Sequence, residues 1–459
     1  MHAVGIDVSK GKSTVAILRS HTDVVVSPFD VPHTVPGMKH LVEIIRSAGE
    51  NPVAFMEHTG RYYEPVAQTL CRYGVPVVAF NPLLLKGYGS NSLRNVKTDK
   101  ADAKKIARYG LDYFQELRQY TPMDTTRYEL KTLNRQFQLA SKNKVAFTNN
   151  LTSLLDASYP NIRSHFTSPA RKDGSQKWVD FVITFWHVDC VRSVSLNAFA
   201  ERYRKWCKRH GYNFSAEKAE QIHREARDMI ALVPKSETTK LMVQQAAEQL
   251  LSISRMVETL RAEMNRLASL LPEYPVVMGL FGVGESIGPQ LMAEIGDIRR
   301  FAGKQSLVAF AGIDPMPNQS GMKNVRSNKS SKRGSPYLRK TLFTLMQMLL
   351  QLAPADDPVY LFLDRKRAEG KPYHVYMNAG GNKFLHRYYG KVRDYLAALD
   401  PPPPIESWSA EETSDDSSAE AVNVLTEAAL QPLGCSSALT ADSVKDAEGA
   451  AKPFILDGG

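Results

Sequence analysis

The sequence has few cysteines and no long apolar run, and each shortage excludes a class of protein. The four cysteines are Cys71, Cys190, Cys207 and Cys435. They show no disulfide framework, which argues against a small disulfide-stabilised secreted domain and predicts a reducing compartment, the cytoplasm. No stretch approaches the roughly 20 apolar residues of a membrane helix, and the start, MHAVGIDVSKGKS, lacks the apolar core of a signal peptide. We therefore expect no membrane association.

Acidic residues are scarce outside the C-terminal tail. The chain of 459 residues has a net charge of +10, but residues 401–459 hold 11 Asp/Glu and 2 Lys. The tail therefore carries −9, which leaves +19 on residues 1–400. A basic body predicts a polyanionic partner, most simply nucleic acid, although many basic proteins bind none. The length predicts two or three domains.

The N-terminal region predicts a mixed sheet with helices on its faces. The segments AVGIDVS, KSTVAIL and DVVVSPF are rich in β-branched residues and predict a meander of three strands. GMKHLVEIIRSAG and YYEPVAQTLCRYG have helical spacing, and each precedes a predicted strand, PVAFMEHTG and VPVVAFNP. This order is that of the α/β ribonuclease H-like fold, which we expect over residues 1–115.

Two long helices are predicted within residues 116–272. The first runs from Asp124 to about Ser158, and the second runs from about Glu237 to Leu271 with a heptad seam. We favour a coiled-coil arm or dimerisation element, and the alternative is two antiparallel helices that pack within one chain. Between them, residues 161–215 form an aromatic-rich insert without an assignable pattern.

The insert holds four residues with the ligand types of a zinc site. Their pair spacings, x-x between each His and Cys, suit tetrahedral zinc. The favoured alternative is that SLNAFAERYRKWCKRHGYN forms an amphipathic helix with a buried cysteine and no metal. The four residues are His187, Cys190, Cys207 and His210.

Four carboxylates in the N-terminal region form a candidate metal site. Asp7 lies within the first strand, Glu57 ends a strand expected beside it, and Asp99 and Asp102 lie three residues apart at a helix start with Thr98 as N-cap. Phosphoryl transfer to or from DNA needs divalent ions held by several carboxylates, so we expect Mg²⁺ or Mn²⁺ here. Each acid alone has a structural explanation, such as a turn cap or a complement to the helix dipole.

Residues 273–400 form a basic, mainly α-helical region with a candidate nucleophile. GLFGVGESIGPQLMAEIGDIRR predicts two helical stretches around a Gly-Val-Gly turn, either a phosphate-binding hairpin or an ordinary tight turn. Downstream, Ser320 precedes a glycine, and this serine could attack a DNA phosphate. The residues alone favour a Ser-Gly turn on a solvated basic face. The cations that follow, our candidate nucleic-acid contacts, are Lys323, Arg326, Lys329, Lys332, Arg333, Arg339 and Lys340.

These motifs, taken together, resemble one family. GIDVSK, MEHTG, VKTDKADAKKIA, GVGESIGPQLMAEIGDIRRF, FAGIDP and SPYLRKTL occur in this order. The chain from Met1 to about Leu399 resembles the DEDD-type transposases of the insertion-sequence-110 group, which includes the Piv DNA invertases. The insert around residues 161–215 and the acidic tail at 401–459, expected to be disordered, depart from the pattern.

The resemblance implies a RuvC-like domain whose metal ligands map onto Asp7, Glu57, Asp99 and Asp102. The family's serine maps onto Ser320, and it is thought to form a covalent phosphoserine link to DNA in a composite centre across subunits. The resemblance also implies a structured guide RNA, encoded beside the element, that pairs with donor and target DNA.

We therefore expect a transposase or site-specific recombinase of double-stranded DNA that acts as a homodimer or homotetramer. These residues do not separate transposition from DNA inversion. One alternative is a RuvC-like structure-specific nuclease that uses metal-activated water, with the Ser320 region as a DNA clamp. Another is a non-catalytic nucleic-acid-binding protein whose acids are structural.

Overall fold

The structure, a computed structural model, describes residues 1–58, 60, 62–88, 98–315, 319–320, 323–324 and 330–399, and only the main chain at 319–320 and 323–324. The N-terminal strands are β1 (His2–Val8), β2 (Lys12–Leu18), β3 (Val24–Pro32), β4 (Pro52–Glu57) and β5 (Val77–Phe80). The helices around them are α1 (Val35–Ser47), α2 (Tyr63–Arg72), α3 (Pro82–Gly87) and α4 (Asp99–Tyr113).

These strands form one five-stranded mixed sheet with the order β3-β2-β1-β4-β5. β1 pairs antiparallel with β2 and parallel with β4, so β1 is the central strand. This is the ribonuclease H-like arrangement, and it confirms the predicted α/β fold class. The strands of the meander are adjacent in sequence and need only short turns, whereas the parallel strands that follow need helical crossovers.

Alternate residues of β1 face two different cores. Val4 and Ile6 pack with α1 and α2, whereas Ala3 packs on the opposite face with α4. Gly5 lies on that second face, where a Cβ atom would stand 2.1 Å from the carbonyl oxygen of Ala103. The absence of a side chain therefore lets α4 lie directly on the central strand.

The two long helices, α5 (Thr125–Ser158) and α10 (Glu237–Ser269), pack along each other within the chain. They run antiparallel, because Arg261 stands over the Phe137 ring at 5.9 Å while the main-chain N–H of Leu232, just before α10, reaches the Ala157 carbonyl at 2.8 Å. The seam residues from Val243 to Leu267 belong to one core with α5. This corrects the prediction of a coiled-coil arm or dimerisation element. The apolar stripe of α10 is buried against α5 of the same chain, as in the alternative of two antiparallel helices.

The insert folds as four helices that connect α5 to α10. Their bounds are α6 (Lys177–Thr184), α7 (Asp189–Arg192), α8 (Leu196–His210) and α9 (Ala216–Asp228). Aromatic side chains hold them together, with Phe181 stacked on Phe185 and edge-on to Trp206. These rings join the α5–α10 core. The insert is a helical subdomain built on the long helix pair.

The predicted zinc ligands are not assembled in this subdomain. The Nδ1 atom of His187 accepts the main-chain N–H of Asp189 at 3.1 Å, so its Nε2 donates to the Val233 carbonyl at 3.0 Å. Both ring nitrogens are used, and Cys207 is buried on α8, as the alternative reading predicted. His187 thus joins α7 to the segment before α10.

The remaining elements are mainly helical and lie beyond α10. The helices are α11 (Tyr274–Met278), α12 (Ile287–Ile295), α13 (Lys304–Ala311), α14 (Pro336–Leu352), α15 (Pro358–Ala368) and α16 (Tyr373–Leu399). Short 3-10 helices occur at Phe114–Glu116, Ile162–His165 and Ile298–Arg300. Two short strands, β6 (Gln319–Ser320) and β7 (Lys323–Asn324), pair antiparallel. Within the described ranges, no helix is both long and apolar enough to span a membrane.

Candidate functional site

The sheet register brings Asp7 and Glu57 together. Ile6 pairs with Met56 across the parallel β1–β4 ladder, so the next residues of the two strands are Asp7 and Glu57. Side chains two residues apart on a strand lie on the same face of the sheet. Asp7 and Glu57 therefore lie on the face covered by α4, as do Gly5 and Phe55 two residues before them. The two carboxylates therefore stand side by side at the carboxyl ends of two central strands.

Helix α4 supplies the other two acids. Thr98 caps this helix through a hydrogen bond from the Ala101 main-chain N–H to its hydroxyl oxygen at 3.2 Å, as predicted. Asp99 and Asp102 lie in its first turn. Because Ala103 lies on β1 at Gly5, this first turn is held at the same end of the sheet as Asp7.

The four carboxylates repel one another electrostatically. Burial raises the pKa of Asp7 to about 6, and the charges of Asp102 and Asp99 add to the increase. Burial also raises the pKa of Glu57, with Asp7 and Asp102 acting in the same direction. Burial and like charge both disfavour the ionised forms, so a cation at this place would relieve an unfavourable charge.

The donor set suits Mg²⁺ or Mn²⁺, although it is not closed around an ion. Carboxylate oxygens are the ligands that these hard cations prefer. In the described part of the chain, no group of three or more His, Cys, Asp or Glu side chains is arranged to hold a metal as it stands. The four acids would therefore have to move closer together to share an ion.

Two further residues at this end of the sheet were not predicted. Burial and the neighbouring aspartates raise the pKa of Glu57, and the positive charge of Lys105, on α4, opposes them. Asp30, on β3, accepts hydrogen bonds from Thr14 at 2.7 Å and from Lys12 at 2.7 Å. These partners satisfy Asp30 within the protein and distinguish it from the four acids. The pairing of Thr14 with Asp30 in the β2–β3 register places Asp30 at this end of the sheet, which the sequence alone did not indicate.

Ser320 lies on β6, where its main chain pairs with Lys323 of β7. Among the predicted nucleic-acid contacts, Arg326 and Lys329 lie outside the described residues. Lys332 and Arg333 are exposed. Arg339 donates to the Ala311 carbonyl at 3.0 Å, and the Lys340 ammonium donates to the Gln138 side chain at 2.7 Å. The last two cations therefore also have partners within the protein.

A buried polar network ties the segment after β7 to α5. The Glu294 carboxylate of α12 is almost fully buried and accepts hydrogen bonds from Asn134 at 2.7 Å and from Arg135 at 3.0 Å. The Ser335 hydroxyl, which caps α14, donates to the same carboxylate at 2.8 Å. The guanidinium of Arg135 also lies 3.5 Å above the Tyr337 ring. We call residues 323–335, which follow Ser320 and are rich in cations, the basic segment. Glu294 thus fixes the end of the basic segment relative to the long helix pair.

Comparison with known families agrees with this architecture. A protein-family model described as a transposase, of the DEDD type of IS110 elements, matches residues 4–160. A second, described as a transposase of the IS116/IS110/IS902 family, matches residues 274–360. The chain belongs to this transposase family. It is therefore an enzyme of the DNA transposase and recombinase class, as the motifs predicted.

Several curated proteins are similar to this IS110-family transposase. The pilin gene-inverting protein of Moraxella bovis is 23% identical over 338 residues, which cover 74% of this chain and 79% of that protein. An uncharacterized 44.8 kDa protein of insertion element IS116 from Streptomyces clavuligerus is 23% identical over 60% of this chain and 65% of its own length. An uncharacterized 42 kDa protein of insertion element IS900 from Mycobacterium paratuberculosis is 24% identical over 36% and 41%.

The matched regions leave part of the transposase unassigned. The first model ends at residue 160 and the second begins at residue 274. The helical insert and α10 lie between them, outside both models. The first model contains all four acids, and the second contains Ser320.

Proposed function

We propose that this transposase cuts and rejoins double-stranded DNA with Ser320 as the nucleophile and with the four acids as a divalent-metal site. One observation carries the proposal: β1, β4 and α4 bring Asp7, Glu57, Asp99 and Asp102 to one end of the sheet, where burial and then like charge raise the pKa of Asp7 and Glu57. That arrangement is costly unless a bound cation uses it.

In the proposed reaction, the hydroxyl oxygen of Ser320 forms a bond to the phosphorus of one DNA phosphodiester. The bond between that phosphorus and one deoxyribose oxygen breaks, and the leaving oxygen takes up a proton as the serine loses one. Rejoining reverses these steps with a hydroxyl group of another strand. The phosphoserine link conserves the ester bond, so no high-energy co-reactant is needed.

Mg²⁺ or Mn²⁺ at the four acids would supply charge stabilisation for the phosphoryl group that is transferred. The exposed Lys332 and Arg333, with Lys323, Arg326, Lys329, Arg339 and Lys340, are the proposed contacts to the DNA backbone. We further propose a guide RNA, a homodimer or homotetramer, and action in the cytoplasm. The resemblance supports the guide RNA and the oligomer, and the charge of +19 on residues 1–400 fits two nucleic-acid partners.

Site-specific DNA inversion is the second candidate function. It is favoured by the similarity to a pilin gene-inverting protein over 79% of that protein's length. Inversion and transposition share the same strand-cutting and rejoining steps. They differ in the DNA sites that are brought together.

The test is a search for DNA that is covalently linked to the protein. The purified chain is incubated with Mg²⁺, end-labelled junction DNA of its element and RNA transcribed from the flanking non-coding end, and the products are separated on a denaturing gel. We expect a protein–DNA adduct with the native chain. It should disappear with Ser320→Ala and with Asp102→Ala.

Matched controls separate chemistry from general damage. Ser327→Ala removes another serine of the same basic segment, and Glu43→Gln neutralises an exposed acid of α1; both should retain the adduct. Free cleaved ends that persist with Ser320→Ala would show that metal-activated water does the chemistry, as in the nuclease alternative. Unchanged behaviour of Asp7→Ala would favour the non-catalytic alternative.

A further inference from the structure

The helical insert contains a basic groove that the proposed chemistry does not use. A cavity of about 540 Å³ lies among α6, α7, α8 and the start of α10. Five cations and one acid, Glu237, lie on its walls. We call it the insert groove, and its cations are Arg202, Lys205, Arg209, Lys235 and Lys240.

Helix α8 presents three of these cations rigidly. Arg202, Lys205 and Arg209 have i, i+3 and i+7 spacing, which places them on one face of the helix. Tyr203 and Trp206 of the same helix are buried, and Trp206 also lines the groove. Because aromatic packing anchors α8, the backbone positions from which these three cations extend are fixed before any ligand arrives.

The cations of the insert groove are largely without counter-charges. Lys240 pairs with Glu237 at 3.2 Å, but no acidic side chain in the described ranges forms an ion pair with the other four. By contrast, Arg204, on the opposite side of α8, pairs with Glu201. Unneutralised cations around a concave surface focus a positive potential and attract a polyanion.

We propose that the insert groove binds the phosphate backbone of single-stranded nucleic acid. Grooves of this kind follow a flexible strand with cations, and a flexible strand can enter a concave surface more deeply than a stiff duplex. The groove lies between the two regions that the family models match, and it contains neither the four acids nor Ser320. The proposal is therefore independent of the proposed reaction.

The experiment measures binding of labelled oligonucleotides of about 12 nucleotides to the full chain by fluorescence anisotropy at several salt concentrations. Single-stranded RNA, single-stranded DNA of the same sequence and the corresponding DNA duplex are compared. The test variant changes Arg202, Lys205 and Arg209 to alanine. The control variant changes Lys208, Arg224 and Arg227 to alanine. These three residues are exposed cations of the same subdomain that lie outside the groove.

The test variant should lose about 100-fold in single-strand affinity near 0.1 M salt, and its salt slope should fall by about 2, because each lost phosphate contact removes about 0.7 from the slope. The control variant should retain affinity close to that of the native chain.

A larger loss for RNA than for DNA would assign the groove to RNA, and equal losses would show that it contacts only the shared backbone. Equal losses in the two variants, or a loss as large for the duplex, would overturn the proposal. The readout is binding alone, and the insert groove contains neither the four acids nor Ser320, so failure here is distinct from failure of the proposed reaction.

Discussion

A single missing side chain controls how the acids meet. At Gly5, a Cβ atom would lie 2.1 Å from the Ala103 carbonyl oxygen and 2.5 Å from the Ala107 main-chain nitrogen. Both atoms belong to the α4 backbone and cannot rotate away. Any larger residue must therefore push α4 off the sheet and carry Asp99 and Asp102 away from Asp7.

Gly5→Ala should destabilise the chain by about 1–3 kcal/mol through overpacking and should reduce the Mg²⁺-dependent adduct. Urea unfolding and the gel assay measure the two effects. Gly390→Ala is the control, because a Cβ atom there meets no neighbour within 4 Å. Native adduct levels with Gly5→Ala would show that α4 does not position the acids.

The buried hydrogen-bond network around Glu294 leads to a prediction about stability rather than chemistry. Glu294→Ala leaves the buried Asn134 side chain and the half-buried Arg135 without their shared acceptor, so we expect a loss of about 3 kcal/mol in the free energy of unfolding. Glu201→Ala, which removes an exposed ion pair with Arg204, should cost at most about 1 kcal/mol. Denaturant titrations of the two variants and the native chain measure these changes in the free energy of unfolding. Equal costs would mean that the Glu294 network adds nothing beyond a surface pair.

At the scale of elements, the α5–α10 pair belongs to one chain. Leu250 is fully buried in its seam, so Leu250→Ala should lower the free energy of unfolding by about 2–5 kcal/mol. Met256→Ala, at an exposed position of the same helix, should change it by less than about 0.5 kcal/mol. Light scattering before unfolding should show the same oligomer for both. An oligomer that dissociates with Leu250→Ala while its helices stay folded would show that the seam joins two chains.

Local patterns predicted most of the elements but not all of their partners. β-Branched runs predicted β1 to β3, short strands after each helix predicted β4 and β5, and Thr98 with its acidic turn predicted the start of α4. These signals all depend on neighbours in sequence. The heptad seam of α10 predicted a buried stripe, but such a stripe does not specify which helix covers it. Within the insert, only α8 had a helical pattern in the sequence. Its packing with the other helices could not be predicted, since contacts such as that between Phe181 and Trp206 join residues far apart in sequence.

The same distinction holds for the candidate site. Adjacent parallel strands were expected to bring Asp7 and Glu57 together, and the register confirms it. The hydrogen bonds that Asp30 accepts and the influence of Lys105 on the pKa of Glu57 depend on side-chain geometry. The spacing of residues in the sequence does not predict that geometry. The insert groove likewise requires α8 and the start of α10 to be adjacent.

At the scale of the whole molecule, charge is divided between two parts of the chain. Removal of residues 401–459 would raise the net charge from +10 to +19. We expect the shortened chain to bind duplex DNA of unrelated sequence more tightly at low salt, with the difference decreasing as salt screens the charges. Anisotropy titrations at two salt concentrations measure this.

A full-length variant in which the 11 tail acids become Asn or Gln tests whether charge or length is responsible. It should match the shortened chain. If it instead binds as the native chain does, the effect of the tail is steric.

The backbone hydrogen bond between Ala157 and Leu232 closes the base of the insert, so the chain leaves α5 and returns to α10 at nearly the same point. A segment with one shared entrance and exit is an exchangeable module. Its outer helices can be lengthened, shortened or replaced in evolution or by engineering while α5 and α10 keep their mutual packing. We therefore expect that changes in these outer helices would alter the proposed insert groove without moving the carboxylates.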